Sequence, residues 1–599
     1  MPARILILFL LWCAAAPLHA GTQLLRETHR DVRNTEVRIE SIFGVAAQQG
    51  ALPFRITIRN NSGTDRVWNV QLNEGGYNRT LVTRWSGDIA VGDGTEIVRE
   101  VILPFAPNFA AYPYRNLEAT FTSGGLNPIS RSTGYQVNSD FPTLALSQAL
   151  ATRSLAKLDD IIKKKGSSDQ RFGEAFDAER LSSEWRAYTG LDVLLIDFKT
   201  WKTVASGPRR AILEWVRTGG NLHIFYSSTD FPGFSATDPG IEGLVMNPGQ
   251  DDRGKLSLGS IEFKEWDGRE LPSSLVRDYE NLLVRSDQLD SQYRDNWALA
   301  ELLGEKPFNS ILIFGILLTF AVLVAPVNLF YFAGKGKRHR LFYTTPIISV
   351  AACLIIIALI FIGDGLGGKG YRVAFVDLQA GKEERKLYVA QEQISRTGVI
   401  VETGFEGDQD LLIEPVRPRD SVFAAFQRRA GRNTTFHFGG RNFEGGFFRS
   451  RSEQGFALKA VEPTRARIEM QNPATETTPP TLVSSLPAAI GEFYFRDENK
   501  RIWKSRPNSA TEPGGTFPLE AGTESELFNF VNEHSDTFSA TVRNNVKRIG
   551  RETSRFYALP ADPSAFLIET HPGIRWTDDS VLLSGTLSTA TELETNTAP

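Results

Sequence analysis

Two uninterrupted apolar runs, Ser310–Phe332 and Leu341–Gly363, lie in the middle of the chain, separated by the basic segment Lys335-Gly336-Lys337-Arg338-His339-Arg340. Each run of about twenty-three residues reaches roughly 34 Å as a helix, which matches a hydrocarbon core of ~30 Å with some tilt. Together they read as a transmembrane hairpin, residues 310–332 and 341–363, around a short loop at 333–340. Short loops rich in Lys and Arg resist export, so the loop is expected in the cytoplasm and both large flanking regions outside it. In a bacterium this is the inner (cytoplasmic) membrane, with both large domains periplasmic. Pro326 and Asn328 in the first run and Pro346 in the second are the expected packing positions, since isolated amides and helix-bending prolines inside membranes serve helix–helix contact.

The N-terminus agrees independently. Arg4, the apolar core Ile5–Ala16 and the small residue Ala20 follow the order of a secretory signal peptide, expected over residues 1–20. Cys13 is preceded by Leu11-Trp12 inside that core, so a lipoprotein signal is rejected. Retention of the segment as an anchor would leave the topology of the rest unchanged.

At 599 residues the chain exceeds what one core supports, so several domains are expected. The net charge of −4 gives no global attraction to nucleic acid, which is disfavoured as a partner. The two cysteines, Cys13 and Cys353, fall in the signal and in the second apolar run. The exported regions therefore hold no disulfide and no cysteine nucleophile. Histidines stand singly at 19, 29, 223, 339, 437, 534 and 571 without metal-ligand spacing, so neither a metal nor a cofactor is expected.

From residue 21 to 139 the pattern is strand-like alternation. Phe54–Arg59 and Val67–Leu72 flank the turn Asn60-Asn61-Ser62-Gly63 and read as a hairpin, with further strands at Glu96–Leu103 and Asn116–Thr122. An Ig-like β-sandwich is the expected fold. Between 140 and 300 the period changes: a helix carrying Leu155, Leu158, Ile161 and Ile162 on one face, the apolar strand Val193–Ile196, a helix from Ser206-Gly207-Pro208 with Ser206 as cap, a stop at Gly219-Gly220, and the strand Asn221–Tyr226. This alternation predicts an open α/β layer. After the hairpin, Asp364–Gly370 reads as a flexible glycine tether rather than a phosphate loop, because it lacks a Gly-Lys-Ser/Thr ending. The region 371–590 then reads as a β-rich exported domain, with strands at Tyr371–Asp377, Lys386–Ala390, Gly398–Glu402 and Leu411–Glu414, one helix over Glu524–Lys547, and a disordered Thr-rich tail after Ser588.

The stretches Trp185-Arg186-Ala187-Tyr188, Leu191–Ile196 and Ala211–Leu222 resemble the class I glutamine amidotransferase-like (flavodoxin-like) fold, in the non-catalytic form found in bacterial double-transmembrane envelope proteins. Val324–Tyr331, the basic turn, Tyr343-Thr344-Thr345-Pro346, Ile574-Arg575-Trp576 and Leu582–Gly585 are similar to the paired helices and last strands of that group. The resemblance implies an amidotransferase-like α/β domain over 140–300 and, as partners, membrane or envelope proteins such as ATPases or von Willebrand-type membrane proteins. Catalytic members need a cysteine at a strand-to-helix elbow, and 141–250 contains none. The nearest serine elbow, Gly233-Phe234-Ser235-Ala236-Thr237, lacks its last glycine.

The expected function is non-catalytic: a membrane-tethered envelope protein acting by binding or by assembly of a membrane complex. Two alternatives stay open. A periplasmic hydrolase or sugar-processing enzyme would use a polar crevice at the strand C-termini, near Asp197, Tyr226 and Asp230. An auxiliary transporter subunit would pack its hairpin on other membrane helices. His223 on a central strand is read as a core histidine, and Asp192, Asp197 and Asp230 are explained as well by caps and turns as by a ligand. The basic stretch Arg428-Arg429, Arg432, Arg449 and Arg451 reads as a solvated loop.

Overall fold

The structure, a computed structural model of the full chain, describes all residues except 1–21, 45–48, 77–80, 106–113, 138–140, 166–170, 228–244, 248–249, 281, 283–291, 294–296, 305–309, 333–335, 337, 380–384, 401–402, 409, 417–433, 473–478, 507–511 and 590–599. The expected signal peptide, residues 333–335 and 337 of the basic loop, the Gly233 elbow, Arg428, Arg429, Arg432 and the tail from residue 590 on lie outside the described residues.

Alternating apolar residues build two facing sheets at the start of the chain. The first contains β1 (Thr22–Thr28), β2 (Glu36–Ser41), β3 (Ala51–Asn60) and, after it in sequence, β6 (Thr95–Pro104), in the order β1-β2-β3-β6. The second takes β4 (Arg66–Gly76), β5 (Leu81–Val91), β7 (Tyr114–Ser123) and β8 (Ile129–Gln136), in the order β5-β4-β7-β8. Ile39, Phe54, Ile56 and Ile58 of one sheet meet Trp68, Val70, Leu72 and Phe121 of the other in a shared core. The expected hairpin between Phe54–Arg59 and Val67–Leu72 is not formed: β3 and β4 belong to different sheets. The Asn60 side-chain amide donates to the Thr64 and Val91 carbonyls at 2.9 and 3.0 Å, so the chain crosses between layers at a corner rather than reversing within one.

The next unit is α/β. Its elements are β9 (Leu144–Ser147), α1 (Gln148–Lys165), β10 (Glu174–Phe176), β11 (Val193–Asp197), α2 (Phe198–Thr203), α3 (Ser206–Arg217), β12 (Asn221–Tyr226), β13 (Val245–Asn247), β14 (Gln250–Leu256), β15 (Gly259–Glu265) and α4 (Ser274–Glu280). The sheet runs β10-β9-β11-β12-β15-β14-β13, parallel through the first five strands and antiparallel in the last two. Both faces are covered, which is why the strands read as continuous apolar runs. Val193 and Leu195 face α1 and α4, while Leu194 and Ile196 face Ile212, Trp215 and Val216 of α3. Ser206 is the first residue of α3, and the cap is Ala205 without a side-chain bond, contrary to the expected Ser206 cap.

A short helix α5 (Ala298–Leu303) leads to α6, helical over Ser310–Val322 and prolonged as a π-helix over Leu323–Phe332 around Pro326, and to α7 (Leu341–Asp364). The expected tether is instead a helix end and a strand. Gly365 and Gly367 take φ of 74° and 79°, and β16 (Gly368–Gln379) begins at once. The glycines serve close packing: a Cβ on Gly370 would lie 2.5 Å from the Trp576 ring.

After β16 come β17 (Lys386–Thr397), β18 (Phe405–Glu406), β19 (Leu412–Val416), β20 (Thr434–Gly439), β21 (Asn442–Gly445), β22 (Glu453–Pro463), β23 (Ile468–Asn472), β24 (Thr481–Ser484), β25 (Ile490–Arg496), β26 (Ile502–Lys504), β27 (Thr516–Pro518), β28 (Glu520–Ala521), α8 (Glu524–Ser535), α9 (Ala540–Ile549), β29 (Arg555–Pro560), β30 (Ile574–Thr586) and β31 (Ser588–Thr589). Nine strands form one sheet, β19-β22-β17-β16-β30-β29-β25-β26-β28, and β27-β24-β23-β31 form a small one packed on it. Its opposite face carries α5, α8 and α9. The single helix expected over Glu524–Lys547 is two, broken at Asp536–Ser539, and residues 398–400 form only an isolated bridge rather than a strand.

The region after the helix pair does not stand apart from the region before it. Strand β20 pairs in parallel with β5, from Thr434↔Leu81 to Phe438↔Trp85, so β18, β21 and β20 extend the second sandwich sheet to seven strands. Tyr388, Leu412 and Val461 enter the α/β core beside Trp215.

Candidate functional site

In an open α/β sheet a ligand crevice forms at the strand C-termini where successive connections leave toward opposite faces. Here that point lies between β9 and β11, because α1 covers one face and α2 and α3 the other. Ser147 ends β9 and Asp197 ends β11. The Ser147 hydroxyl donates to Asp197 Oδ2 at 2.8 Å, and Asp197 Oδ1 accepts from the Thr200 backbone N–H at 3.0 Å as the cap of α2. Asp197 is 5 % exposed. The carboxylate is thus engaged in holding two strand ends and a helix start.

The other expected crevice residues do not assemble around it. Tyr226, at the end of β12, packs half-buried against the Trp215 cluster. Asp230 lies outside the described residues. His223 is a core histidine whose Nδ1 sits 2.8 Å from the Tyr279 hydroxyl, and burial holds its pKa well below the usual imidazole range. Asp192 precedes β11, at the opposite end of the sheet, where it accepts from the Thr143 N–H at 2.7 Å. Burial pushes its carboxyl up to about 6.

Asn328 is wholly buried between the two apolar helices. Its Nδ2 donates to Thr345 Oγ1 at 2.8 Å and its Oδ1 accepts from Thr344 at 2.5 Å, so the amide is satisfied within the pair. Pro326 lies inside the π-helical stretch and Pro346 in the first turns of α7. Most other side chains of these helices are uncovered, including Phe330, Tyr331, Phe342 and Tyr343 next to Arg338 and Arg340.

Where the pair meets the rest of the protein, chain segments from before and after it interlock. Glu392 on β17, 2 % exposed, accepts from Trp297 Nε1 at 3.0 Å, from the Tyr293 hydroxyl at 3.4 Å, and from both the backbone N–H (2.8 Å) and the hydroxyl of Ser539, which caps α9. Burial raises its carboxyl above the ordinary range, against those donors. Nearby, Arg396 on the same strand donates to the Leu303 and Gly304 carbonyls at 3.3 and 2.5 Å. A further seam lies where the α/β unit meets β19 and β22: Arg186 stands 3.8 Å from Asp410, Lys386 pairs with Glu214, and the Gly50 N–H donates to Glu414 at 2.8 Å. A cleft of about 390 Å³ opens there, lined by Asp408, Asp410, Arg441 and Glu462. Burial first, then like charge, raises the carboxyls of Asp410 and Glu462.

No family profile and no curated protein matches the chain. Among solved structures it is similar, weakly, to red sea bream transglutaminase, at 14 % identity over 20 % of this chain and 19 % of that one, with a TM-score of 0.15. The ApaA protein from Bordetella pertussis matches at 11 % identity over 17 % of this chain and 94 % of its own, TM-score 0.14. Native α2-macroglobulin from Escherichia coli, from domain MG7 to its C-terminus, matches at 9 % identity over 84 % and 99 %, TM-score 0.15. The chain thus spans about a fifth of the transglutaminase, and likeness at these TM-scores carries no weight for fold or activity.

The Glu392 node and the Asp410 cleft are among the polar constellations that sequence reading missed. Their members lie far apart in sequence, as Trp297, Glu392 and Ser539 do, and no local spacing marks them. The one legible sign was the pair of tryptophan and tyrosine residues just ahead of the first apolar run.

Proposed function

We propose that the protein is anchored in the bacterial inner membrane by the α6–α7 hairpin and acts without catalysis, by binding or by assembly of a membrane complex. The observation that carries this reading is the β5–β20 pairing, which makes one body of the regions before and after a helix pair whose apolar surface is left bare. A soluble protein buries such helices, and exposing this much contiguous apolar area marks a membrane or protein contact. With both feet of the hairpin in one body, both flanking regions belong on one side of the bilayer. The basic segment at the far end then faces the cytoplasm, with Tyr331 and Tyr343 at the depth where aromatic rings favour the interface.

The strand order β10-β9-β11-β12-β15, with five parallel strands covered on both faces, supports reading the second unit as flavodoxin-like. The two-sheet sandwich before it supports the Ig-like reading. Within the α/β unit the engagement of Asp197 in strand and helix-cap bonds favours a binding role over hydrolysis. The satisfied Asn328 amide likewise favours a self-contained anchor over a hairpin that grips another transporter helix through that residue.

Protease added to intact spheroplasts tests the topology: epitopes placed before residue 300 and after residue 371 should both be digested without lysis. Sparing of either one until lysis would overturn the reading. Affinity purification from native membranes tests assembly, and elution of this chain alone after crosslinking would count against it.

A further inference from the structure

A further cleft, about 150 Å³, lies between α8 and α9 on the nine-stranded sheet. Glu524, Phe528 and Val531 follow one another along a single face of α8 and form one wall, and Lys547 and Arg551 close it from the end of α9. Arg496, the last residue of β25, completes the lining although it is only 6 % exposed. Among the described residues its hydrogen-bond partner is Glu524, reached through Nη2 at 3.1 Å, and Nε has none. Glu524 itself is 76 % exposed, a weak counter-charge for a buried guanidinium. Arg551 is exposed with no ion pair among the described residues, and Lys547 pairs with Asp536 at 2.8 Å. Three cations thus line the cleft, with Glu524 the carboxylate in its wall and Asp536 drawn to Lys547. Beside them Phe528 stands half exposed on an otherwise polar rim.

We propose that this cleft binds the oxyanion end of a water-soluble ligand, a phosphate or carboxylate on a short apolar stem. The planar fork of Arg496 suits a two-oxygen acceptor, which would supply the partner its buried Nε lacks. Phe528 takes the stem. The ligand is not a headgroup of the bilayer that holds the hairpin. Arg496 pairs with Arg555, which pairs with Thr586, whereas α7 joins the sheet at Gly368 opposite Ile574. The two ends are separated by about ten residues of strand, roughly 33 Å. That exclusion rests on the membrane reading above; the anion site itself does not.

The test is isothermal titration of the full-length protein in detergent with inorganic phosphate and with phenyl phosphate, at constant ionic strength set by chloride. Saturable binding is expected, tighter for phenyl phosphate, and weakened about tenfold or more by Arg551→Gln, the effect of removing a charged hydrogen bond. Arg269→Gln, a solvent-exposed arginine elsewhere, should leave it unchanged. Phe528→Ala should abolish the preference for phenyl phosphate while keeping phosphate binding, which shows that the fold survives. Non-saturable heat, or equal losses in Arg551→Gln and Arg269→Gln, would overturn the site. Failure here leaves the spheroplast result untouched, so the two readings fall separately.

Discussion

The indole N–H of Trp297 donates to the Glu392 carboxylate at 3.0 Å, joining a residue just ahead of the first apolar helix to one just beyond the second. Tyr293 and Ser539 converge on the same carboxylate, so the base of the helix pair is tied to the sheet and to the start of α9. Trp297→Phe keeps the aromatic packing and removes one donor to a charged acceptor. It should lower stability by about 1.5–3 kcal/mol, read as a shift in urea midpoint without loss of secondary structure. An unchanged midpoint would mean the indole bond contributes nothing.

Asp192 makes stability depend on pH in a stated direction. Its carboxyl is raised to about 6 from 3.8, so the folded chain holds this proton at a pH where the unfolded chain has lost it. Its contribution therefore falls as pH rises from about 4 to about 6, and is constant above and below that window. Asp192→Asn keeps an acceptor for the Thr143 N–H and should flatten the slope in that interval. Denaturation midpoints of both proteins at pH 4, 5, 6 and 7 decide it.

Cleavage at a protease site inserted into Lys335–Arg340 should leave the two halves associated in mild detergent, because β5 and β20 share a sheet and Tyr388 and Val461 share the Trp215 core. Separation should need SDS. Halves that part on a gel-filtration column in mild detergent would contradict the shared sheet.

The Asn328 amide and the Thr345 hydroxyl should couple by about 0.6 kcal/mol, and by no more than ~2, since polar contacts between helices in bilayers are modest. A double-mutant cycle of Asn328→Ala and Thr345→Val, followed by SDS titration in bicelles, measures it. Additive single effects would show that the bond does not stabilise the pair.

Gly370→Ala distinguishes a strand from a tether. Its new methyl meets the Trp576 ring and the Ile394 carbonyl at 2.5 and 2.7 Å, so overpacking should cost about 1–3 kcal/mol. A thermal midpoint equal to wild type would favour the tether.

Local rules carried much of the fold. The strands at Val193–Asp197 and Asn221–Tyr226, the helix ending at Gly219, and β6 and β7 were legible because burial on one face or two imposes a period or a continuous run. The expected crevice was legible only as a place: Asp197 does end a central strand, but its engagement by Ser147, fifty residues earlier, has no signature in sequence. The tether and the long final helix misled for a shared reason. Glycines read as flexibility are needed where β16 and β30 approach closely, and Ser539 breaks the helix because Glu392 holds its N–H and hydroxyl.

Hydrophobic periodicity within a window of some twenty residues sufficed to define the apolar helix pair, its basic turn and most individual strands, since each depends on which side chains a short segment must bury. Which strands share a sheet was decided in three dimensions alone. The pairing of Thr434 with Leu81 joins segments on opposite sides of the helix pair, and backbone hydrogen bonds of that kind are indifferent to sequence distance and nearly indifferent to side-chain identity. The buried charges were decided there too, because a carboxylate such as Glu392 is tolerable only where remote donors happen to meet it.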